Sequence, residues 1–135
     1  MRQLIALGLL ALGAGPPGTW AAPSATRAAT VRVRLVEFEV VLSRAAVPAG
    51  RVTFVVRNAG KIAHNFVVLR TNLPPSKLPT VGAVASEAGR QGKTPVFGPG
   101  ATRRLTLTLR PGRYVLICNV AGHYSAGMFV GFRVR

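Results

Sequence analysis

The C-terminal stretch TRRLTLTLRPGRYVLICNVAGHYSAGMFVGFRVR, residues 102–135, contains three runs with the apolar patterning of β-strands. In the first run Leu105, Leu107 and Leu109 occupy alternate positions, which predicts a strand with one buried face. Pro111 and Gly112 follow this run and predict a hairpin turn into the second strand. After Gly127, alternating residues predict a third strand that closes the chain.

The same signals continue upstream of this stretch. We predict strands at residues 31–43 (one long or two short), at 52–56 and at 64–70, with turns at residues 48–50 and 58–60. Five prolines and five glycines in residues 71–100 predict a long connection, with a short helical turn near residues 81–88. Seven to eight short strands separated by turn residues predict an all-β fold, a Greek-key β-sandwich.

The N-terminus has the pattern of a secretory signal peptide. Arg2 precedes a short apolar run, and small residues before Ala21 and Ala22 suit a cleavage site. The apolar run is shorter than the ~20 residues of a membrane-spanning helix, although an uncleaved anchor stays open as an alternative. We therefore expect a periplasmic or extracellular protein with a signal peptide at residues 1–21, a linker at 22–30 and one domain at 31–135.

The composition is strongly basic, with 18 lysines and arginines, 3 acidic residues and a formal net charge of +15. This charge predicts an acidic protein partner or an anionic membrane surface, whereas nucleic acid is not expected for an exported protein. Arg32 and Arg34 occupy alternate strand positions, as on a solvated sheet face. A basic composition with no specific partner therefore stays open. The candidates for steering a partner are Arg57, Lys61, Arg103 and Arg104.

Three metal-binding side chains follow one another near the C-terminus. Cys118, His123 and Met128 lie at intervals of five residues. Cys118 is the only cysteine, so it cannot form a disulfide within the chain. His64, at the start of a predicted strand, can reach the same end of a β-sandwich. Two imidazoles, one thiolate and a weak axial thioether are the ligands of a blue-copper electron-transfer site.

Other metals suit this donor set less well. Zinc prefers additional cysteine or histidine ligands, and hard cations require oxygen ligands. The chain contains only three side-chain carboxylates, those of Glu37, Glu39 and Glu87. Copper is therefore the metal that the side chains favour.

The sequence resembles the cupredoxins, and in particular the small plastocyanin-, auracyanin- and sulfocyanin-like copper proteins of prokaryotes. The matching stretches are VPAGRVTFVVRNAGKIAHNFVVL, LPPSKLP and LRPGRYVLICNVAGHYSAGMF. The resemblance implies one type 1 copper ion per chain, with the ligands His64, Cys118, His123 and Met128. Asn65 resembles the polar residue that ties the two ligand loops together and supports the thiolate, the alternative being an ordinary polar residue at a strand start.

These observations predict a carrier of single electrons between redox partners, with copper cycling between Cu(I) and Cu(II), and not an enzyme. Multicopper oxidases and copper nitrite reductases need more histidines, and a dinuclear copper centre needs a second cysteine. Copper carriage in metal homeostasis stays open as an alternative. We expect a monomer with acidic redox partners and electron passage through the edge of His123. An apolar docking patch is expected at Ala121, Gly122, Ala126 and Phe129.

Overall fold

The computed structural model describes residue 13, residues 15–21 and residues 27–135. Most of the predicted signal peptide, together with Ala22 of its cleavage site, lies outside the described residues and stays a prediction. In the described part of the chain, no helix is long and apolar enough to cross a membrane. The first strand begins at Ala28, which is earlier than the predicted domain boundary at residue 31.

Nine of the strands in the described residues form two sheets. The four-stranded sheet has the order β2-β1-β4-β9, made of Glu39–Leu42, Ala28–Val36, Gly50–Asn58 and Thr102–Leu109. The five-stranded sheet has the order β3-β11-β10-β5-β8, made of Ala46–Val47, Phe129–Val134, Gly112–Ile117, Val67–Arg70 and Arg90–Lys93. The predicted all-β sandwich is confirmed. Its strand number is higher than predicted because the short strands β3 and β8 have no clear alternation.

The core lies between the two sheets and follows from the alternation of the sequence. In β1 the side chains of Val31, Val33 and Leu35 are buried, while the residues between them are exposed. At the centre, the ring of Phe54 contacts the rings of Phe66 and Phe132 at centroid distances of 5.3 and 5.6 Å. Burial of one such phenylalanine contributes roughly 1.5–3 kcal/mol.

The predicted hairpin between β9 and β10 is wrong. β9 pairs with β4 in one sheet, and β10 pairs with β5 and β11 in the other, so the turn at Pro111 and Gly112 crosses between the sheets. The reason lies in the burial of the two strands. β9 has a polar outer face, whereas Tyr114 to Ile117 of β10 are all buried, as expected for a central strand that is covered on both faces.

The predicted helical turn near residues 81–88 is also wrong. This segment forms a hairpin of β6 (Thr80–Val81) and β7 (Val84–Ala85), with Gly82 at φ +58° in the turn. A short 3₁₀ helix, Pro75–Lys77, precedes the hairpin. The connection covers the outer face of the five-stranded sheet and forms a second apolar cluster there, which includes Leu78, Ala85 and Tyr124.

Candidate metal centre

The loop between β10 and β11 holds three of the predicted ligands. Cys118 directly follows β10, and Met128 directly precedes β11. The N–H of Cys118 donates to the carbonyl of Met128 at 3.1 Å, which closes the base of the loop. The N–H of Met128 in turn donates to the carbonyl of His123 at 3.1 Å, so these hydrogen bonds join all three residues. Gly122 and Gly127 have φ angles of +83° and +116°, which other residues adopt at a cost.

His64 reaches the site from a different loop, which follows β4. Its backbone pairs with that of Phe97 in an isolated bridge, so the predicted strand starts later, at Val67. The buried side chain of Asn58 shapes this loop. Its amide nitrogen donates to the carbonyls of Ile62 and Phe97 at 2.8 and 3.1 Å. The position of His64 is therefore fixed by backbone contacts at both sides of the loop.

The structure brings the predicted donors together. Single ligand atoms of His64, Cys118 and His123 lie within 4.8 Å of one another. The sulfur of Cys118 is 3.6 Å from Nδ1 of His64 and 3.5 Å from Nδ1 of His123, and the two Nδ1 atoms are 3.1 Å apart. The side chain of Met128 is fully buried in the same core cluster as Cys118. Of these residues only His123 has any solvent exposure, 8%.

Asn65 connects the two ligand loops, as the resemblance implies. Its backbone N–H donates to the sulfur of Cys118 at 3.4 Å. Its side-chain oxygen accepts a hydrogen bond of 2.7 Å from the N–H of Asn119, directly after the cysteine. The residue thus contacts the sulfur and the loop that carries it.

The electrostatic environment favours neutral side chains when no cation is present. Burial raises the pKa of the Cys118 thiol, although hydrogen bonds from the N–H groups of Asn65 and Val120 oppose this effect. Burial lowers the pKa of His123, and the nearby His64 lowers it further. A bound metal ion changes this balance for the cysteine, because a coordinating thiol is deprotonated.

Two residues of the turn between β1 and β2 contact the histidines, and the sequence analysis did not assign them to the site. Oε1 of Glu37 is 2.8 Å from Nε2 of His64. The ring of Phe38 contacts His123 edge-on, at a centroid distance of 5.2 Å and an angle of 71°. Burial raises the pKa of Glu37, but hydrogen bonds from His64 and the loop backbone outweigh it and lower this pKa to about 2. The only sequence signal was an acidic residue in a strongly basic chain.

Asn119 is a third residue that the sequence analysis missed. Its side chain forms hydrogen bonds with the N–H and the carbonyl of Ala85 at 2.9 and 3.0 Å, and with Glu87 at 3.1 Å. The N–H of Gly122 donates to the carbonyl of Ala83 at 2.8 Å. The β6–β7 hairpin and the residues after it therefore support the ligand loop from outside.

The donor set fits one type 1 copper ion. Two imidazole nitrogens and one sulfur converge in a buried position, and the buried side chain of Met128 belongs to the same core cluster as Cys118. No carboxylate belongs to this group of the described residues, so the site offers hard cations no charged oxygen ligand. The fold is a cupredoxin-like β-sandwich, and these donors are the ones that a type 1 copper site requires.

Solved structures of copper proteins share this fold. Reduced auracyanin from Roseiflexus castenholzii is 23% identical, with a TM-score of 0.58 over 83% of this chain and 99% of its own. Auracyanin A from Chloroflexus aurantiacus, a blue copper protein, is 19% identical, with a TM-score of 0.59 over 81% and 100%. Rusticyanin from Thiobacillus ferrooxidans is 21% identical, with a TM-score of 0.57 over 78% and 76%. No protein-family model and no curated protein matches the sequence.

Proposed function

We propose that this protein binds one copper ion through His64, Cys118, His123 and Met128 and carries single electrons between redox partners. The observation that carries the proposal is the buried convergence of the donors of His64, Cys118 and His123 within 4.8 Å. Bound copper supplies a one-electron couple between its +1 and +2 states, both of which accept imidazole and sulfur ligands.

The surroundings of the donors support electron transfer more than catalysis. His64, Cys118 and Met128 have no solvent exposure, so a substrate has no access to the metal position. Hydrogen bonds from two loops hold the donors in place, as described for Asn65 and for the backbone of Met128. A rigid ligand set changes little between oxidation states, and a small rearrangement lowers the barrier to electron transfer.

The same burial argues against copper carriage, because ligand exchange with another protein requires accessible donors. The two functions are separated by voltammetry together with a copper-transfer assay. We expect a reversible one-electron wave, and slow loss of Cu(I) to an excess of a Cu(I) chelator. An irreversible wave with rapid transfer of Cu(I) to the chelator would favour carriage.

We propose that electrons leave through His123, the one ligand with solvent exposure. Two exposed apolar residues have contacts at this end of the sandwich. Phe38 contacts His123 edge-on, and the N–H of Ile62 donates to Glu37, which contacts His64. Phe129 was expected in the docking patch. It instead packs against Tyr124 in the apolar cluster on the outer face of the five-stranded sheet.

We also propose that the redox partner is acidic and docks with the help of an arginine face. We use this name for the exposed side chains of Arg32, Arg34, Arg57 and Arg104. In the register of the four-stranded sheet, Arg34 lies opposite Arg57, while Arg32 and Arg104 flank Val55. None of the four forms an ion pair within the described residues. An anionic membrane surface is the alternative partner of this face.

The remaining expectations from the sequence belong to this proposal. We propose a monomer that is exported to the periplasm or the extracellular space, supported by the signal-peptide pattern. Of the four predicted steering residues, Arg57 and Arg104 belong to the arginine face. Arg103 instead lies over the ring of Phe97 at 5.3 Å, and the backbone of Lys61 is bound to Glu37.

A further inference from the structure

We propose that Glu37 is a positioning residue, which fixes the imidazole of His64 so that Nδ1 faces the metal position. This inference rests on the proposed copper site and adds a residue that belongs to neither ligand loop. It assigns a function to one of the three acidic side chains of a basic chain.

The two ring nitrogens of His64 have separate partners. Nε2 lies 2.8 Å from Oε1 of Glu37, whereas Nδ1 lies 3.6 Å from the sulfur of Cys118. While Glu37 is in place, His64 has no solvent exposure, so the carboxylate and not water is the acceptor of an Nε2–H bond. A buried N–H without an acceptor is unfavourable. The contact therefore selects the tautomer that leaves Nδ1 free to bind a metal.

The carboxylate is itself held in place by the loop that carries His64. It accepts hydrogen bonds from the N–H of Lys61 at 2.9 and 3.2 Å and from the N–H of Ile62 at 3.2 Å. A side chain at Gly60 would collide with the carboxylate and displace it from this position. Glu37 thus contacts both the backbone that precedes His64 and the imidazole of His64. These contacts fix the ring relative to its own loop.

The negative charge of Glu37 is expected to affect the oxidation state that a bound copper ion prefers. A carboxylate that accepts a hydrogen bond from a ligating histidine makes that ligand a stronger base. A stronger base and a nearby negative charge stabilise Cu(II) more than Cu(I). Glu37 is therefore expected to lower the reduction potential and to tighten Cu(II) binding.

The test compares Glu37→Gln and Glu37→Ala with the matched control Glu39→Gln. Glu39 is exposed on β2, two residues after Glu37, so this control makes the same change of charge and leaves the contact between Glu37 and His64 intact. We expect Glu37→Ala to weaken Cu(II) binding about 10- to 100-fold and to raise the reduction potential. Glu37→Gln keeps an acceptor and should show a smaller shift, while Glu39→Gln should stay close to the wild type.

A second measurement does not depend on copper. In ¹⁵N-labelled metal-free protein, NMR reports whether Nε2 of His64 carries a proton that exchanges slowly with water. We expect a protected proton in the wild type and in Glu39→Gln, and its loss in Glu37→Ala. The proposal is overturned if Nε2 carries no protected proton, or if the Glu37 variants match Glu39→Gln in both affinity and potential. A wild type that binds no copper would instead reject the proposed function.

Discussion

Met128 is the proposed ligand whose role is expected to differ most from that of the other three. Its backbone is bonded to Cys118 and His123, while its side chain is fully buried in the core. A thioether is a weak axial ligand in blue-copper sites. Packing and backbone hydrogen bonds therefore hold the loop, and the sulfur adjusts the preference of the site for one oxidation state.

This distinction predicts the behaviour of Met128→Leu, which conserves volume and removes the sulfur. The change of stability should stay below about 1.5 kcal/mol, as for similar core exchanges. Copper and its colour should be retained, and the reduction potential should rise because the loss of a sulfur donor penalises Cu(II) most. The measurement is voltammetry together with a copper assay. Complete loss of copper would instead show that the thioether is needed to hold the ion.

At the scale of single residues, the convergence of His64, Cys118 and His123 could be predicted from the sequence, and the contact of Glu37 could not. Cys118, His123 and Met128 are close in sequence, so their spacing limits how they can be arranged. The contact between Glu37 and His64 spans 27 residues and depends on where the turn after β1 meets the loop after β4. No local pattern contains that information.

Among the elements, the β6–β7 hairpin shows how a connection that is distant in sequence from the β10–β11 loop supports that loop. Its residue Ala85 forms two hydrogen bonds with the side chain of Asn119, and Ala83 accepts one from Gly122. In addition, the hydroxyl of Tyr124 donates to the carbonyl of Pro75 at 2.7 Å and accepts from the N–H of Leu78 at 3.0 Å. The connection and the ligand loop are therefore expected to stabilise each other.

Asn119→Ala tests this support. The variant loses the hydrogen bonds to Ala85 and to Glu87 and leaves the backbone groups of Ala85 without these partners. We expect a loss of about 1–3 kcal/mol in the free energy of unfolding and faster loss of copper to a chelator. Urea unfolding and chelator kinetics measure the two effects. Asn72→Ala, at an exposed position of the same connection, serves as the control. Equal behaviour of the two variants would contradict the supporting role.

The elements also show where prediction from the sequence stopped. The positions of β1, β4 and β9 followed from alternation and that of β10 from its apolar run, but the assignment of β9 and β10 to different sheets did not follow from the sequence. A Pro-Gly turn specifies that the chain reverses and does not specify which sheet receives the next strand. In the same way, two-residue strands such as β6 and β7 are too short to show a period, so glycine and proline dominated the prediction for that segment.

At the scale of the whole molecule, basic side chains greatly outnumber acidic ones, 18 to 3. The ion pairs with lysine and arginine in the described residues involve one acid, Glu87, which contacts Arg90 and Lys93. Arg34 and Arg57, directly opposite each other in parallel strands, repel each other when no anion is present. An acidic partner would relieve this repulsion, which supports the proposed docking at the arginine face.

The double variant Arg34→Gln/Arg57→Gln tests this face against the matched control Arg113→Gln/Arg133→Gln. The control residues are also paired and exposed, but in the other sheet. We expect oxidation of the copper(I) protein by the anion hexacyanoferrate(III) to slow with added salt, since surface charges are screened over about 10 Å at 0.1 M. The dependence of the oxidation rate on salt concentration should become weaker in the arginine-face variant than in the control. Equal salt dependence of the two variants would reject a special role of this face.

The central claim is that the buried donors form one type 1 copper site, and the visible spectrum during titration with Cu(II) tests it most directly. We predict an intense band from charge transfer between the Cys118 thiolate and copper, which saturates at one equivalent of Cu(II) per chain. Cys118→Ser should abolish this band, whereas Glu39→Gln, away from the donors, should retain it. A colourless copper complex, or unchanged colour in Cys118→Ser, would contradict the account.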